Sequence, residues 1–205
     1  MNAACCDEAG YATSTDWPSD VSQRLYEELE QLGFSGRSML EIGCGYGRIL
    51  VGALLGGATR ATGVELDPDA LEEARERAAE AGVDERCELL EGDGAELDLQ
   101  PHDLVVLDRV ICCYVDGERL VERSAALAGT TLAMTIPESR GLRGAWNRLL
   151  YPLGDLLDRL RGEDRVYLHD VRRIEARLVA AGFRLHRAEW LGKWYIGTYL
   201  RAPAP

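Results

Sequence analysis

Lysine is nearly missing from this 205-residue chain: Lys193 stands alone, and 23 basic residues face 35 acidic ones for a formal charge of −12. A surface of that sign repels phosphate backbones, so nucleic acid is not an expected partner. Long apolar runs are missing too. No window approaches the roughly 20 residues of a membrane-spanning helix, and stable membrane insertion is not expected. The stretch 1–8 has neither the basic nor the apolar region of a signal peptide, which makes the cytoplasm the expected location. No repeat, low-complexity tract or linker divides the chain, so it reads as one domain over 1–205 with a core of its own. CxxC spacing is absent as well. Cys5, Cys6, Cys44, Cys87, Cys112 and Cys113 include two vicinal pairs, a poor disulfide framework, and read as free thiols. The rival reading has the two pairs meeting around a metal; their spacing matches no zinc pattern, and no metal is expected.

What is present is an alternation of short apolar runs and helical periods. Asp20 reads as the N-cap of a helix over 21–32, whose apolar positions Val21, Leu25, Leu29 and Leu32 recur near every 3.6 residues and which Gly33 ends. Strands are expected over 39–42, 61–66, 86–90, 103–107 and 130–136. Helices are expected over 48–55, from Asp67-Pro68-Asp69 to 81, over 118–128 and over 171–181. Two last strands, about 184–190 and 194–201, lie close enough for a hairpin. This rhythm predicts an α/β fold, a doubly wound Rossmann-like sheet that is mostly parallel with an antiparallel C-terminal hairpin. Residues 1–19 are expected to form a flexible N-terminal segment. Residues 139–164 carry a leucine stripe flanked by arginines and are expected to be a helical substrate cover. That stripe reads first as packing against the sheet, then as closure over a flat, apolar, anionic molecule, and last as contact with a membrane surface.

In an open α/β sheet, ligands bind beyond the carboxyl ends of the strands, where the strand order reverses. Gathered there are Glu41, the glycine turn Gly43-Cys44-Gly45-Tyr46-Gly47, Glu65, Asp93 and the run from Asp108 to Tyr114. A carboxylate at Glu65 can accept both hydroxyls of a ribose, and Asp93 can accept from an adenine amino group. Nicotinamide dinucleotides and S-adenosylmethionine both meet those demands. The dinucleotide pattern G-x-G-x-x-G places its third glycine where helix and strand must pack. Here the pattern is G-x-G-x-G, with the acid Glu41 inside the preceding strand. A carboxylate there is awkward beside a pyrophosphate and suits the positively charged amino-acid end of S-adenosylmethionine, the better match.

Leu40-Glu41-Ile42-Gly43-Cys44-Gly45-Tyr46-Gly47 resembles the first motif of class I S-adenosylmethionine-dependent methyltransferases. Gly63-Val64-Glu65-Leu66-Asp67 resembles their second motif and Gly92-Asp93-Gly94-Ala95 their adenine-side motif. The resemblance covers about residues 21–200. More narrowly, Leu107-Asp108-Arg109-Val110-Ile111-Cys112-Cys113-Tyr114 resembles the D-R-V-x-C-C-Y run of Mg-protoporphyrin O-methyltransferase and its bacterial relatives. Cys5-Cys6 and Val166-Tyr167-Leu168-His169 are similar to that group as well. The group often has proline after the tyrosine and the histidine; Val115 and Asp170 stand there in this chain.

The resemblance implies cofactor contacts from Glu41, Gly43, Cys44, Gly45, Gly47, Glu65, Leu66, Asp93, Gly94, Asp108 and Arg109. It implies in-line transfer of a methyl group to a small, apolar or aromatic acceptor, on oxygen. A carboxylate acceptor needs only orientation, for which Arg109 is a candidate; a phenol, with a pKa near 10, calls for a general base. His169 and Tyr114 are the catalytic candidates, with Asp108 beside them. Each also has a plainer role: His169 as a helix cap or a partner of a buried carbonyl, Tyr114 as pocket lining, Asp108 as a loop fixture. His102 and His186 read as structural. A small-molecule acceptor and at most a homodimer are the expected partners. The alternatives are a regulatory module that holds the cofactor without transferring anything and, more weakly, an NAD-dependent oxidoreductase.

Overall fold

Short apolar runs pair side by side in this chain, and the central ones, unlike the edge strands, are buried on both faces. In the computed structural model, which describes residues 19–141, 144–145 and 166–203, Ser38–Ile42 (β1) is buried at every position. It lies between Arg60–Glu65 (β2) and His102–Leu107 (β4), parallel to both. Cys87–Glu91 (β3) extends the sheet beyond β2 and Ala128–Pro137 (β5) extends it beyond β4. Trp194–Arg201 (β7) pairs antiparallel with both β5 and the edge strand Phe183–Leu191 (β6). The order β3-β2-β1-β4-β5-β7-β6 is the doubly wound α/β arrangement, with β7 alone running against the rest.

Alternation along the strands divides the core into two layers. Met39, Leu104, Val106, Ala133 and Ile196 face Asp20–Leu32 (α1), Arg48–Leu55 (α2) and Pro68–Glu80 (α3). Leu40, Ile42, Val105, Leu107, Leu132 and Met134 face Gly117–Leu127 (α4) and Val171–Ala180 (α5). At mid-β2, Gly63 lets α2 lie directly on the strand: a Cβ there would meet Leu50 Cδ1 at 2.4 Å, Cys44 Sγ at 2.8 Å and Leu89 Cδ2 at 2.9 Å. Helix α1 is tied to the antiparallel tail by charge. Arg24 pairs with Glu189 of β6 at 2.8 Å, and Arg187 of β6 reaches the buried Glu28 at 3.1 Å.

Elements start and stop within about two residues of the expected positions, and α2 and β7 have the expected bounds. One cap differs. Ser19, not Asp20, is the N-cap of α1: its backbone is extended, and its hydroxyl accepts from the Ser22 amide. Asp20 then sits in the first turn, where its charge complements the helix dipole. The expected flexible segment 1–19 and the expected cover 139–164 fall almost wholly outside the described residues. At the point where the cover would begin, Arg140 is clamped between Glu138 at 3.2 Å and Glu175 at 3.0 Å, with its guanidinium 4.6 Å from the Tyr195 ring centre.

Gly63→Ala should lower the free energy of unfolding by about 1–3 kcal/mol, the usual cost of overpacking a filled core. Urea titration of the two proteins reads it, and equal midpoints would mean that α2 is not in close contact with β2.

Candidate functional site

Strand parity decides which side chains meet at the carboxyl end of the sheet. Glu41 shares its face with Met39, Asp108 continues the series Leu104 and Val106, and Thr135 continues from Ala133, so all three turn toward the α1–α3 layer. Glu65 does the same, two residues beyond Gly63. Three carboxylates therefore gather where the strand order reverses between β1 and β4.

The glycine turn joins this cluster to α2. The Gly43 and Cys44 amides both donate to the Val64 carbonyl, at 2.8 and 3.1 Å, which locks the turn against β2. Gly43 has φ +74, and a Cβ there would lie 2.7 Å from Val110 Cγ2, so conformation and space both require glycine. Glu65 is held by the loops around it: its carboxylate accepts from Gly45 N at 3.0 Å, Leu66 N at 2.7 Å and Asp67 N at 3.2 Å. Leu66 thus enters the site through its backbone. Cys44 is buried, and burial, with Glu41 and Glu65 adding to it, pushes its thiol well up. Its side chain packs over Gly63, while its backbone lies in the glycine turn.

Glu41 is the unusual member. It is 3% exposed, and its Oε2 has no hydrogen-bond partner among the described residues. Burial raises its carboxyl well above the ordinary range, Asp108 and then Glu65 push it further, and the Leu50 backbone amide near the start of α2 offsets this in part. Asp108 is better provided. It accepts from Ser22 Oγ of α1 and from Thr135 Oγ1 at 2.6 Å. Burial raises its carboxyl above the usual value, and the Ser22 and Thr135 hydroxyls and Arg109 pull it back.

Arg109 has φ +53, the only positive φ of a non-glycine residue among those described. Such a conformation costs roughly 1 kcal/mol or more. It is held by the Arg109 amide, which donates to Thr135 Oγ1 at 2.7 Å. The same hydroxyl therefore fixes both Asp108 and Arg109. The next residues coil into the 3-10 turn Ile111–Cys113, where the Cys112 and Cys113 thiols lie 3.4 and 3.7 Å from the Arg109 carbonyl.

Asp93, beside Gly94 in the loop after β3, accepts at Oδ1 from Ala95 N at 2.8 Å and from Tyr114 Oη at 2.6 Å. Burial and the Asp93 carboxylate raise the Tyr114 phenol, which makes it a donor and a poor base. His169 Nε2 lies 2.9 Å from the Tyr114 carbonyl oxygen. A carbonyl only accepts, so that nitrogen carries the proton and Nδ1 is the basic one. The helix cap beside it is Asp170.

Ser22 and Thr135 escaped the sequence reading. Thr135 could have been found, since a hydroxyl at the end of a strand buried on both sides needs a partner. Ser22 could not, because serine on a helix ordinarily faces water. Among the described residues, no group of three or more His, Cys, Asp or Glu is placed to hold a metal; Cys5 and Cys6 lie outside them. No helix among the described residues is long and apolar enough to cross a membrane.

Residues 39–128 match a family model described as a methyltransferase domain. Ribosomal protein L11 methyltransferase of Yersinia pseudotuberculosis is 41% identical over 61 residues, 30% of this chain and 21% of that protein. The chain thus matches about a fifth of that relative's length. The magnesium protoporphyrin IX methyltransferase of Synechocystis PCC 6803, solved with bound SAH, superposes with a TM-score of 0.70 at 20% identity, over 89% of this chain and 82% of that one. A [4+2]-cyclase, SpnF, superposes with 0.68 at 15% identity, over 93% and 85%. At these identities the likeness is one of fold: the chain shares the mostly parallel α/β architecture of these proteins.

Glu41→Gln tests the buried carboxyl. A carboxyl raised by folding binds its proton more tightly in the folded state, so its contribution to stability falls as pH climbs from the ordinary carboxyl value through the raised one. In the ligand-free protein, Glu41→Gln should match the parent near about pH 5 and exceed it by about 1–3 kcal/mol near about pH 8. A difference that does not change with pH would mean that Glu41 is ionised and compensated.

Proposed function

We propose that this chain, whose residues 39–128 match the methyltransferase-domain family, binds S-adenosylmethionine and transfers its methyl group to oxygen of a small apolar or aromatic acceptor. The observation that carries this reading is the Glu41 carboxylate, buried beneath the glycine turn with an unpartnered Oε2 and two further acids as its nearest charges. Such a site is built for a cation. It suits the amino-acid end of S-adenosylmethionine and opposes a pyrophosphate, which would place negative charge against negative charge.

S-adenosylmethionine, when bound, supplies an electrophilic sulfonium methyl. The protein's part is to bind, orient and exclude water. Glu65 accepts from two amides at Oε1 and one at Oε2, which leaves an acceptor site on Oε2 for a ribose hydroxyl. Asp93 presents its second oxygen to an adenine amino group. Asp108, fixed by Ser22 and Thr135, closes the floor beneath α1. Arg109, pinned through its amide, is the candidate to orient an anionic acceptor, and Tyr114 is the candidate pocket-lining donor. If the acceptor is a phenol, His169 Nδ1 is the group to take its proton. Glu41, Gly43, Cys44, Gly45, Gly47, Leu66 and Gly94 complete the proposed cofactor site.

The likeness to a protein named as a cyclase favours a second reading, in which a domain of this fold performs no methyl transfer. Calorimetric titration with S-adenosylmethionine and with NAD, followed by a methyl-transfer screen across carboxylate and phenol acceptors, separates the readings. S-adenosylmethionine should bind and NAD should not. Glu65→Ala should weaken binding at least about tenfold through the lost charge-assisted hydrogen bonds, and His169→Ala should slow transfer to phenols while sparing carboxylates. Binding without any product would favour the second reading, and NAD binding alone would contradict the first.

A further inference from the structure

A carboxylate that recognises an amino group must be held still, with the correct oxygen outward. Asp93 is held from both sides of the crevice. Its Oδ1 accepts from Ala95 N at 2.8 Å, within its own loop, and from Tyr114 Oη at 2.6 Å, across from the turn after β4. The loop amide alone leaves the carboxylate plane free to tilt, and either oxygen could take that bond. The second donor comes from a different element and fixes the plane, leaving Oδ2 as the oxygen offered to a ligand.

Tyr114 is itself anchored on its far side. Its carbonyl accepts from His169 Nε2 at 2.9 Å, and the Cys112 carbonyl accepts from Tyr167 N at 2.7 Å. A Cβ on Gly117 would lie 2.8 Å from His169 Nε2, so that residue's smallness lets the imidazole reach the carbonyl. Strain, spacing and packing along 109–117 thus converge on one phenol and one carboxylate oxygen.

We infer that Tyr114 is a positioning residue for base recognition: by holding Asp93 Oδ1, it turns Oδ2 toward the exocyclic amine of adenine and makes the site read adenine over hypoxanthine. The inference rests on the cofactor reading above and adds a specificity determinant to it. Adenine offers N–H donors at that edge, whereas hypoxanthine offers a carbonyl oxygen, which a fixed carboxylate repels. A carboxylate released from Tyr114 can turn aside or admit a water, so it rejects the wrong base less well.

The test compares S-adenosylhomocysteine with S-inosylhomocysteine by calorimetric titration of the full chain. The parent protein should prefer the adenosyl compound by about a hundredfold or more, as a site built to hydrogen-bond a donor does. Tyr114→Phe should shrink that ratio about tenfold. A role in folding alone would weaken both ligands equally. Asp93→Asn, isosteric and neutral, provides a second arm. With Tyr114 and Ala95 still donating to its Oδ1, the amide must turn Nδ2 outward, and the preference should invert toward the inosyl compound. The double variant, with only the Ala95 amide left to hold Oδ1, should weaken that inversion. An unchanged ratio in Tyr114→Phe, or no inversion in Asp93→Asn, overturns the inference while leaving the cofactor reading intact. If the parent protein binds neither compound, the cofactor reading fails and this inference fails with it.

Discussion

The structure turns on one costly arrangement, the burial of Glu41 in the central strand with an oxygen left unpartnered. A buried charge without a partner costs several kcal/mol and ordinarily escapes by taking up a proton. Strand parity makes matters worse, since Asp108 and Glu65 arrive on the same face at the same end of the sheet. A fold evolved for stability alone would place an apolar residue there. The acid suits the cationic end of the proposed cofactor, and the elements around it are firmly placed. The Leu50 amide of α2 reaches the Glu41 carboxyl, and α1 is tied to the neighbouring acid through the Ser22 to Asp108 bond.

Thr135 links this cluster to the acceptor side. Its hydroxyl donates to Asp108 and accepts from the strained Arg109 amide, so one small side chain sets the floor of the cofactor crevice and the entry to the 110–114 turn. That turn carries Tyr114 to Asp93 on one side and to His169 on the other. Two sets of hydrogen bonds, Ser22–Asp108–Thr135–Arg109 and Asp93–Tyr114–His169, are thus joined through the 109–114 turn.

Much of this was legible in the sequence. Apolar runs of strand length, glycines after helical periods and the acid after each run predicted the element order and the parallel sheet, because those elements are decided by local pattern and by burial. The positions of Glu41, Glu65 and Asp93 at strand ends followed as well. Two kinds of feature did not. Caps and bounds shifted by a residue or two where a neighbouring hydroxyl competed, as at Ser19 and Asp20. Partnerships across the sheet, such as Ser22 with Asp108, Thr135 with Arg109 and Tyr114 with Asp93, depend on which elements the topology brings together, and no periodicity encodes them. Tyr114 and His169 shared a catalytic expectation. Their bonds separate the two: the phenol acts as a donor toward Asp93, while the tautomer that the carbonyl partner demands leaves His169 Nδ1 unprotonated.

The central claim is that the acids at the ends of β1, β2 and β3 form a cradle for an adenosyl ligand with a cationic end. A crystal structure of the full chain with S-adenosylhomocysteine addresses it most directly. The account predicts ribose hydroxyls within hydrogen-bond distance of Glu65, the adenine amine on Asp93 Oδ2, and the ligand's amino group on the Glu41 side of the glycine turn. A ligand bound elsewhere, or bound there with Glu65 still turned wholly to its backbone amides and Asp93 Oδ2 facing solvent, would contradict it.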